Sequence, residues 1–200
     1  MSTFLKDYRN RRSYYALTSD STISDERINE IVETVIKYGP SAFNSQSSRI
    51  VLLLGKQHLR FWEIVEEVLR KQINDDKSFA STKNKIDTMF RSGHGTILFY
   101  EDQEVVLGLQ SQYPEYAANM PVHSTTASGM HQLAVWISLE AEGLGASLQH
   151  YNPVIDKEVA EAFGIPSTWE LKAQMPFGKP SAQPGPKSFK PLDQRIMVLK

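Results

Sequence analysis

Between a helix-stopping Gly39-Pro40 and the apolar run Ile50 to Leu54, the chain reads Ser-Ala-Phe-Asn-Ser-Gln-Ser-Ser-Arg. A cap and a turn need fewer polar groups than this. The hydroxyl of Ser41 and the carboxamides of Asn44 and Gln46 both donate and accept, which suits a polyol or the carbonyl and imino groups of a flat ring. Near the start, Arg9-Asn10-Arg11-Arg12-Ser13-Tyr14-Tyr15 places guanidinium groups beside a hydroxyl, the chemistry a terminal phosphate asks for. Lys187-Ser188-Phe189-Lys190 repeats that composition far away in sequence. A solvated basic turn has the same composition in either place. Leu148-Gln149-His150-Tyr151-Asn152-Pro153 follows a short apolar run and precedes a helical pattern, so backbone N–H groups there can meet a ring acceptor or simply form a strand-to-helix turn.

Other chemistries are excluded by composition. The 200 residues contain no cysteine, which removes disulfides, thiolate catalysis and Cys-ligated metal centres. A net charge of −1 gives no global field for nucleic acid or an anionic membrane, so neither is an expected partner. The five histidines are scattered without a completing carboxylate, and no metal site is expected. Gly143-Leu144-Gly145 lacks the third glycine of a dinucleotide loop and follows a helix instead of a strand. The N-terminal stretch has no apolar core of a signal peptide, and no apolar run approaches membrane-spanning length, so the expected location is cytoplasmic. With no nucleophile, metal or acid–base pair in view, any reaction falls to a cofactor, and no side chain is named as catalytic.

The elements that must position these groups follow from periodicity. Ile28, Ile31, Val32, Val35 and Ile36 form one stripe of a helix over 24–38, capped by Ser24 and closed by Gly39 as a C′ residue. Residues 49–54 and 96–100 read as buried strands and 57–73 as a helix. The polar segment 74–88 reads as a mobile excursion before a short helix, and 103–120 as weakly helical, broken at Pro114 and Pro121. A central helix over 124–142 is apolar around most of its circumference. A strand at 146–150, a helix opening on Asn152-Pro153 and ending at Gly164, and a strand over 169–175 come next. The proline-rich residues 176–191 form an arm and 195–199 a last strand. This is one α+β domain over 1–200, in three α/β/α layers. The arm either wraps its own domain or exchanges with a second subunit.

In their order, Arg11-Arg12-Ser13, Pro40-Ser41-x-x-Asn44-x-Gln46, Gly143-Leu144-Gly145-Ala146-Ser147 and the basic arm resemble the FMN-dependent nitroreductase family. Gly95 to Asp102, Leu148 to Pro153 and Ala173 to Gly178 are similar to its short subgroup of copper-induced bacterial and fungal proteins, which carries an association with stress response. The resemblance implies a mixed central sheet flanked by helices, and a homodimer that exchanges the arm and strand of residues 176–200. It further implies FMN at the interface, with hydride passing from NAD(P)H through FMN N5 to a small nitroaromatic or quinone. A flavin-binding regulatory or storage protein with little turnover would use the same residues. By the same resemblance, Arg11, Arg12 and Ser13 hold the phosphate together with Lys187 or Lys190, and Tyr15 stands where many members carry a basic residue. Pro40, Ser41, Ala42, Asn44 and Gln46 reach the ring or ribityl chain from the other subunit. Leu148, Gln149 and His150 lie beside N5, with a backbone N–H contact there. Phe43, Tyr113, Tyr116 and His123 are the candidate lining for an aromatic substrate.

Overall fold

The computed structural model describes residues 2–200. Its organising element is the strand Gly95–Asp102 (β3), buried at every residue. On one side it pairs with Ser48–Leu54 (β2), and on the other with Trp169–Pro180 (β5), both antiparallel. The outer face of β5 pairs with Leu17–Thr18 (β1), and Gly145–Ala146 (β4) joins β5 off that path, giving the order β1-β5-β3-β2. All these pairings are antiparallel; parallel pairing enters through the isolated bridge between Ser13 and Ala146.

Alternation along β3 divides the core. Leu98 and Tyr100 face a cluster with Phe61, Trp62, Val65, Phe90 and Val159. These come from the helices Gly55–Gln72 (α3) and Asp156–Phe163 (α7) and from the turn Asp87–Arg91 that extends the helix Asp76–Ile86 (α4). Ile97 and Phe99 face Ile28 and Val32 of Asp25–Tyr38 (α2), and Val135 and Leu139 of Met120–Ala141 (α6). Helices on both faces of the sheet make the three layers that the patterning implied. Thr3–Asn10 (α1) buries none of its side chains, and Gln103–Gln112 (α5) buries Val106.

Several local expectations change. Ser24 caps α2 as read, its Oγ accepting from the Arg27 amide, but Gly39 is extended (φ −65°) and not left-handed. Its lack of a side chain has a steric cause: a Cβ there would stand 2.1 Å from His131 Nε2. Residues 76–86 are helical at once, because the Asp75 carboxylate accepts from the Ser78 amide and caps α4. Pro121 lies in the first turn of α6, where its missing N–H costs nothing, so the central helix starts at Met120. The strand expected at 146–150 shrinks to β4 and the single bridge Gln149–Gln174. Asn152 does not cap a helix; its Oδ1 accepts from the buried Gln174 side chain, and α7 begins at Asp156. The arm starts later than Pro176, since Met175, Phe177 and Gly178 are buried and keep β5 paired as far as Pro180. Arg195–Leu199 is not a strand within the chain: Arg195 and Ile196 turn back on the Leu192 carbonyl and the segment is exposed. A strand needs a neighbouring edge, and none of the chain's own edges lies alongside it.

Beneath β3, His58 packs with both ring nitrogens satisfied. Nδ1 meets Thr96 Oγ1 at 2.8 Å, Nε2 meets the Arg91 carbonyl at 3.1 Å, and Trp62 Nε1 donates to the same threonine. This is a neutral imidazole donating from Nε2. Burial, assisted by the nearby positive groups, lowers its pKa from 6.5 to about 4. The unfolded chain therefore binds a proton that the folded chain refuses as pH falls from 6.5 to about 4. Stability is lost through that window by about 3 kcal/mol. His58→Gln, which retains a donor toward Arg91, is expected to flatten urea-denaturation stability against pH by up to about 1.4 kcal/mol per pH unit there. An unchanged slope would remove His58 as the titrating group.

Candidate functional site

The N-terminal arginines are set by where α1 stops. Arg11 is its C-cap, and its guanidinium stacks over Trp136 of α6 at 4.3 Å. Arg12 donates to the Gly185 carbonyl at 2.6 Å, which pins the base of the C-terminal arm. Ser13 bridges to Ala146, and the Tyr14 amide donates to the same residue's carbonyl at 2.9 Å. The Tyr14 hydroxyl bonds Gln183 at 3.2 Å, and burial raises its pKa. The two chain ends thus meet in one cleft of about 520 Å3, lined by Arg11, Arg12, Ser13, Tyr15, Pro184 and Lys187. It continues into a wider one of about 750 Å3 walled by Trp136, Leu133, Tyr8 and Phe189. Lys187 joins the arginines; Lys190 is exposed on the arm and lines neither cleft.

Sequence reasoning passed over Trp136, whose indole N–H is buried without a hydrogen-bond partner on this wall. The guanidinium, ammonium and hydroxyl groups that line the cleft are a donor set suited to an oxyanion. Glu140 sits on an adjoining face with Arg12; burial raises its pKa, against the opposing pull of Arg11 and with Asp7 adding to the rise. The glycine pair after α6 serves this region. Gly143 makes the turn at φ +82°, and a Cβ at Gly145 would stand 2.7 Å from the Tyr14 ring. Close backbone approach, and not phosphate binding, explains Gly145.

Along the next strip, Leu148 and Gln149 are half-buried and His150 is exposed. The Gln149 amide donates to the Gln174 carbonyl at 2.7 Å, so it is already committed and not available to a ligand. Its side chain reaches Ser147 Oγ at 3.1 Å.

The Pro40–Gln46 loop is held in an unusual backbone. Phe43, Asn44 and Gln46 have φ of 55°, 51° and 49°, the left-handed region that non-glycine residues enter at a cost. Ser41 Oγ accepts from the Gln46 amide at 3.0 Å, and Arg49 donates to the Gln46 carbonyl at 2.6 Å. Arg49 also pairs with Asp102 at 3.0 Å. Phe43, 49% exposed, stacks on Tyr113 with centroids 4.6 Å apart and lies 6.1 Å from Tyr116. The three aromatics named as substrate lining therefore converge; His123 is exposed on the first turn of α6 and, among the described residues, forms no ring pair with them. Ser41 and Gln46 line a separate recess of about 350 Å3 with Lys37, His131 and Trp169, which shares no lining residue with the arginine clefts.

The profile of the family described as Nitroreductase family matches residues 8–179. The chain belongs to the nitroreductase family. The Saccharomyces cerevisiae nitroreductase-family relative HBN1 is 36% identical over 193 residues, covering 94% of each chain. Nitroreductase CinD from Lactococcus lactis, solved in complex with nicotinic acid, superposes with a TM-score of 0.91 at 40% identity, over 99% of this chain and 100% of that one. A Desulfovibrio desulfuricans protein solved with FMN shares the fold at 21% identity and a TM-score of 0.72, over 100% and 98% of the two chains. Among the described residues of this chain, no helix is long and apolar enough to cross a membrane, and no group of three or more His, Cys, Asp or Glu could hold a metal ion.

In this chain, the Tyr14–Gly145 contact joins β4 to the segment that carries the arginines. Gly145→Val would force its side chain against Tyr14 and Pro180, both under 3.0 Å from the added Cβ. The expected cost is about 1–3 kcal/mol in urea denaturation. Unchanged stability would show that β4 and the Ser13–Tyr14 segment can separate freely.

Proposed function

We propose that this nitroreductase is an FMN-dependent oxidoreductase of the nitroreductase and quinone reductase type, working in the cytoplasm as a homodimer. The observation that carries the reading is the single cleft that Arg11, Arg12, Ser13, Lys187 and Trp136 line together. That donor set fits a phosphate. FMN bound with its phosphate in this cleft would supply hydride transfer from NAD(P)H to nitroaromatics or quinones. The protein's part is positioning and electrostatics.

Arg11 and Arg12 would neutralise the phosphate and Ser13 would donate to it, with Tyr15 covering one side. Lys187 would complete the shell, and Lys190 would join it only if the arm moved. Leu148 and His150 would flank the ring edge, with the backbone donor assigned to His150 because the Gln149 amide is taken. Pro40, Ser41, Ala42, Asn44 and Gln46 would reach the ring of the partner's site. The exposed Phe43–Tyr113–Tyr116 stack would border the space where a flat acceptor lies. His123 keeps its assignment to that space by position on α6 alone.

Two features support the dimer with residues 176–200 exchanged. The strand β2 is an edge of the sheet, with half-buried Ile50, Val51 and Leu52. The arm carries Phe189, Leu192, Ile196, Val198 and Leu199, each 59% exposed or more. An open apolar edge and an unpaired apolar segment are complementary liabilities, and joining them between copies removes both. The separation of the loop from the arginine cleft fits a site built from two chains.

The purified protein is expected to be yellow, and to bleach anaerobically on addition of NADH or NADPH. A colourless protein that takes up no added FMN would overturn the flavin reading. A yellow protein that neither nicotinamide bleaches would leave a flavin-binding protein without this enzymology. Arg11→Ala with Arg12→Ala is expected to weaken FMN binding by about 100-fold or more, measured by flavin fluorescence. Deleting residues 189–200 is expected to shift sedimentation from dimer toward monomer; an unchanged dimer would mean that the arm is not exchanged.

A further inference from the structure

Glu101 is wholly buried near the end of β3 and has no lysine or arginine partner among the described residues. Hydroxyl groups surround its carboxylate instead. Ser47 and Ser124 donate to Oε2, each at 2.6 Å, and Ser48 donates to Oε1. An ionised carboxylate accepts at several lone-pair positions, so three hydroxyl donors are consistent with its charged form. The donors come from two places. Ser47 and Ser48 are the first residues after the Pro40–Gln46 loop, and Ser124 belongs to α6.

The same network sets the state of His131. Ser48 Oγ lies 2.9 Å from His131 Nδ1. The serine has one proton, and it is committed to Glu101, so Nδ1 must carry the ring proton and donate to Ser48. Nε2 is then the bare nitrogen. It is buried without a hydrogen bond of proper geometry, against the backbone of Gly39. Burial lowers the His131 pKa, with Glu101 and the backbone of Gly39 and Ala127 opposing, which agrees with a neutral ring. Half-buried Gly39 precedes the loop and packs against His131, and Ser47 follows it, so the network is hydrogen-bonded to the loop's exit and in packing contact with its entry.

Between those contacts lie the three residues with positive φ. A strained backbone persists where its surroundings over-determine it. Ser41 and Arg49 clamp the loop locally, but both are partly exposed; Glu101 is the fully buried anchor. We infer that Glu101 is a positioning residue, which fixes through Ser47, Ser48 and Ser124 where the Ser41–Gln46 loop presents its side chains to a flavin ring. The inference rests on the flavin reading for its consequence and on this chain's own geometry for its cause.

The test pairs Glu101→Gln with Ser47→Ala and reads each in two ways. The carboxamide of Glu101→Gln keeps the size of the carboxylate but replaces one acceptor with a donor facing a hydroxyl. Hydrogen exchange of the apo protein is expected to speed up about tenfold or more at amides 42–48 in both variants, with protection of 96–100 and 171–177 retained. In the FMN-loaded protein, both variants are expected to bind FMN about tenfold more weakly and to alter the visible circular dichroism of the bound flavin. Unchanged exchange at 42–48 in a folded variant would overturn the inference, and so would faster loop exchange with unaltered flavin affinity and dichroism. If Glu101→Gln does not fold, the milder Ser47→Ala decides by the same readouts. Wild-type protein that binds no FMN would refute the flavin reading, and the exchange arm alone would then decide whether Glu101 positions the loop.

Discussion

Burial of β3 on both faces is the constraint from which the rest follows. Each residue from Gly95 to Asp102 is out of water, so the backbone must be paired on both edges and each face must meet an apolar layer. β2 and β5 supply the pairing; α3 and α7 cover one face, α2 and α6 the other. A strand so enclosed has no room for solvent at its ends, and the acids that finish it must be answered by protein. Asp102 finds Arg49, and Glu101 finds three serines. The loop leading into β2 therefore carries hydroxyls for a reason internal to the fold, beyond any ligand.

β5 extends this order to the chain ends. Its buried second half receives β4 and β1, and these carry Tyr14 and Ser13 against Ala146. Arg11 and Arg12 follow as the residues that leave this junction, and Arg12 then catches the arm at Gly185. A cationic cleft assembled from residues 11–15 and 184–187 is thus a consequence of sheet order. The loop before β2 lies across the sheet at its opposite edge. With β5 and β3 standing between them, the cleft and the loop of one chain do not share a recess, and a ligand needing both would require a second chain.

What was legible in the sequence divides along physical lines. The stripe Ile28–Ile31–Val32 and the Ser24 cap are local signals and gave α2 closely; the β-branched run after Arg49 gave β2. The basic clusters were visible as composition, and Lys187 does join Arg11 and Arg12. The misreadings share another cause, a distant group that recruits a local signal. Gly39 looks like a left-handed cap, but it is small because His131 fills its side-chain space. Asn152 looks like a helix cap, but a buried glutamine recruits it. Glu101-Asp102 looks like the solvated end of a strand, and Trp136 like one more core residue of α6. Nothing local in the sequence distinguishes an acid that will meet three serines from one that will meet water.

The choice of hydroxyls around Glu101 also bears on what the network can do. A buried carboxylate costs several kcal/mol to desolvate, and a well-packed apolar group in its place is often no less stable. Stability alone therefore does not account for it. A guanidinium partner would balance the charge, yet it would hold the acid to one long and flexible side chain. Short hydroxyls have little freedom to lose, and they tie the carboxylate to two separate segments: the loop exit and start of β2 through Ser47 and Ser48, and α6 through Ser124. Those two segments and β3 are then referred to one point, which specifies their relative placement more tightly than apolar packing does. Such an anchor is useful where a loop must hold a strained backbone, and Phe43, Asn44 and Gln46 are that loop.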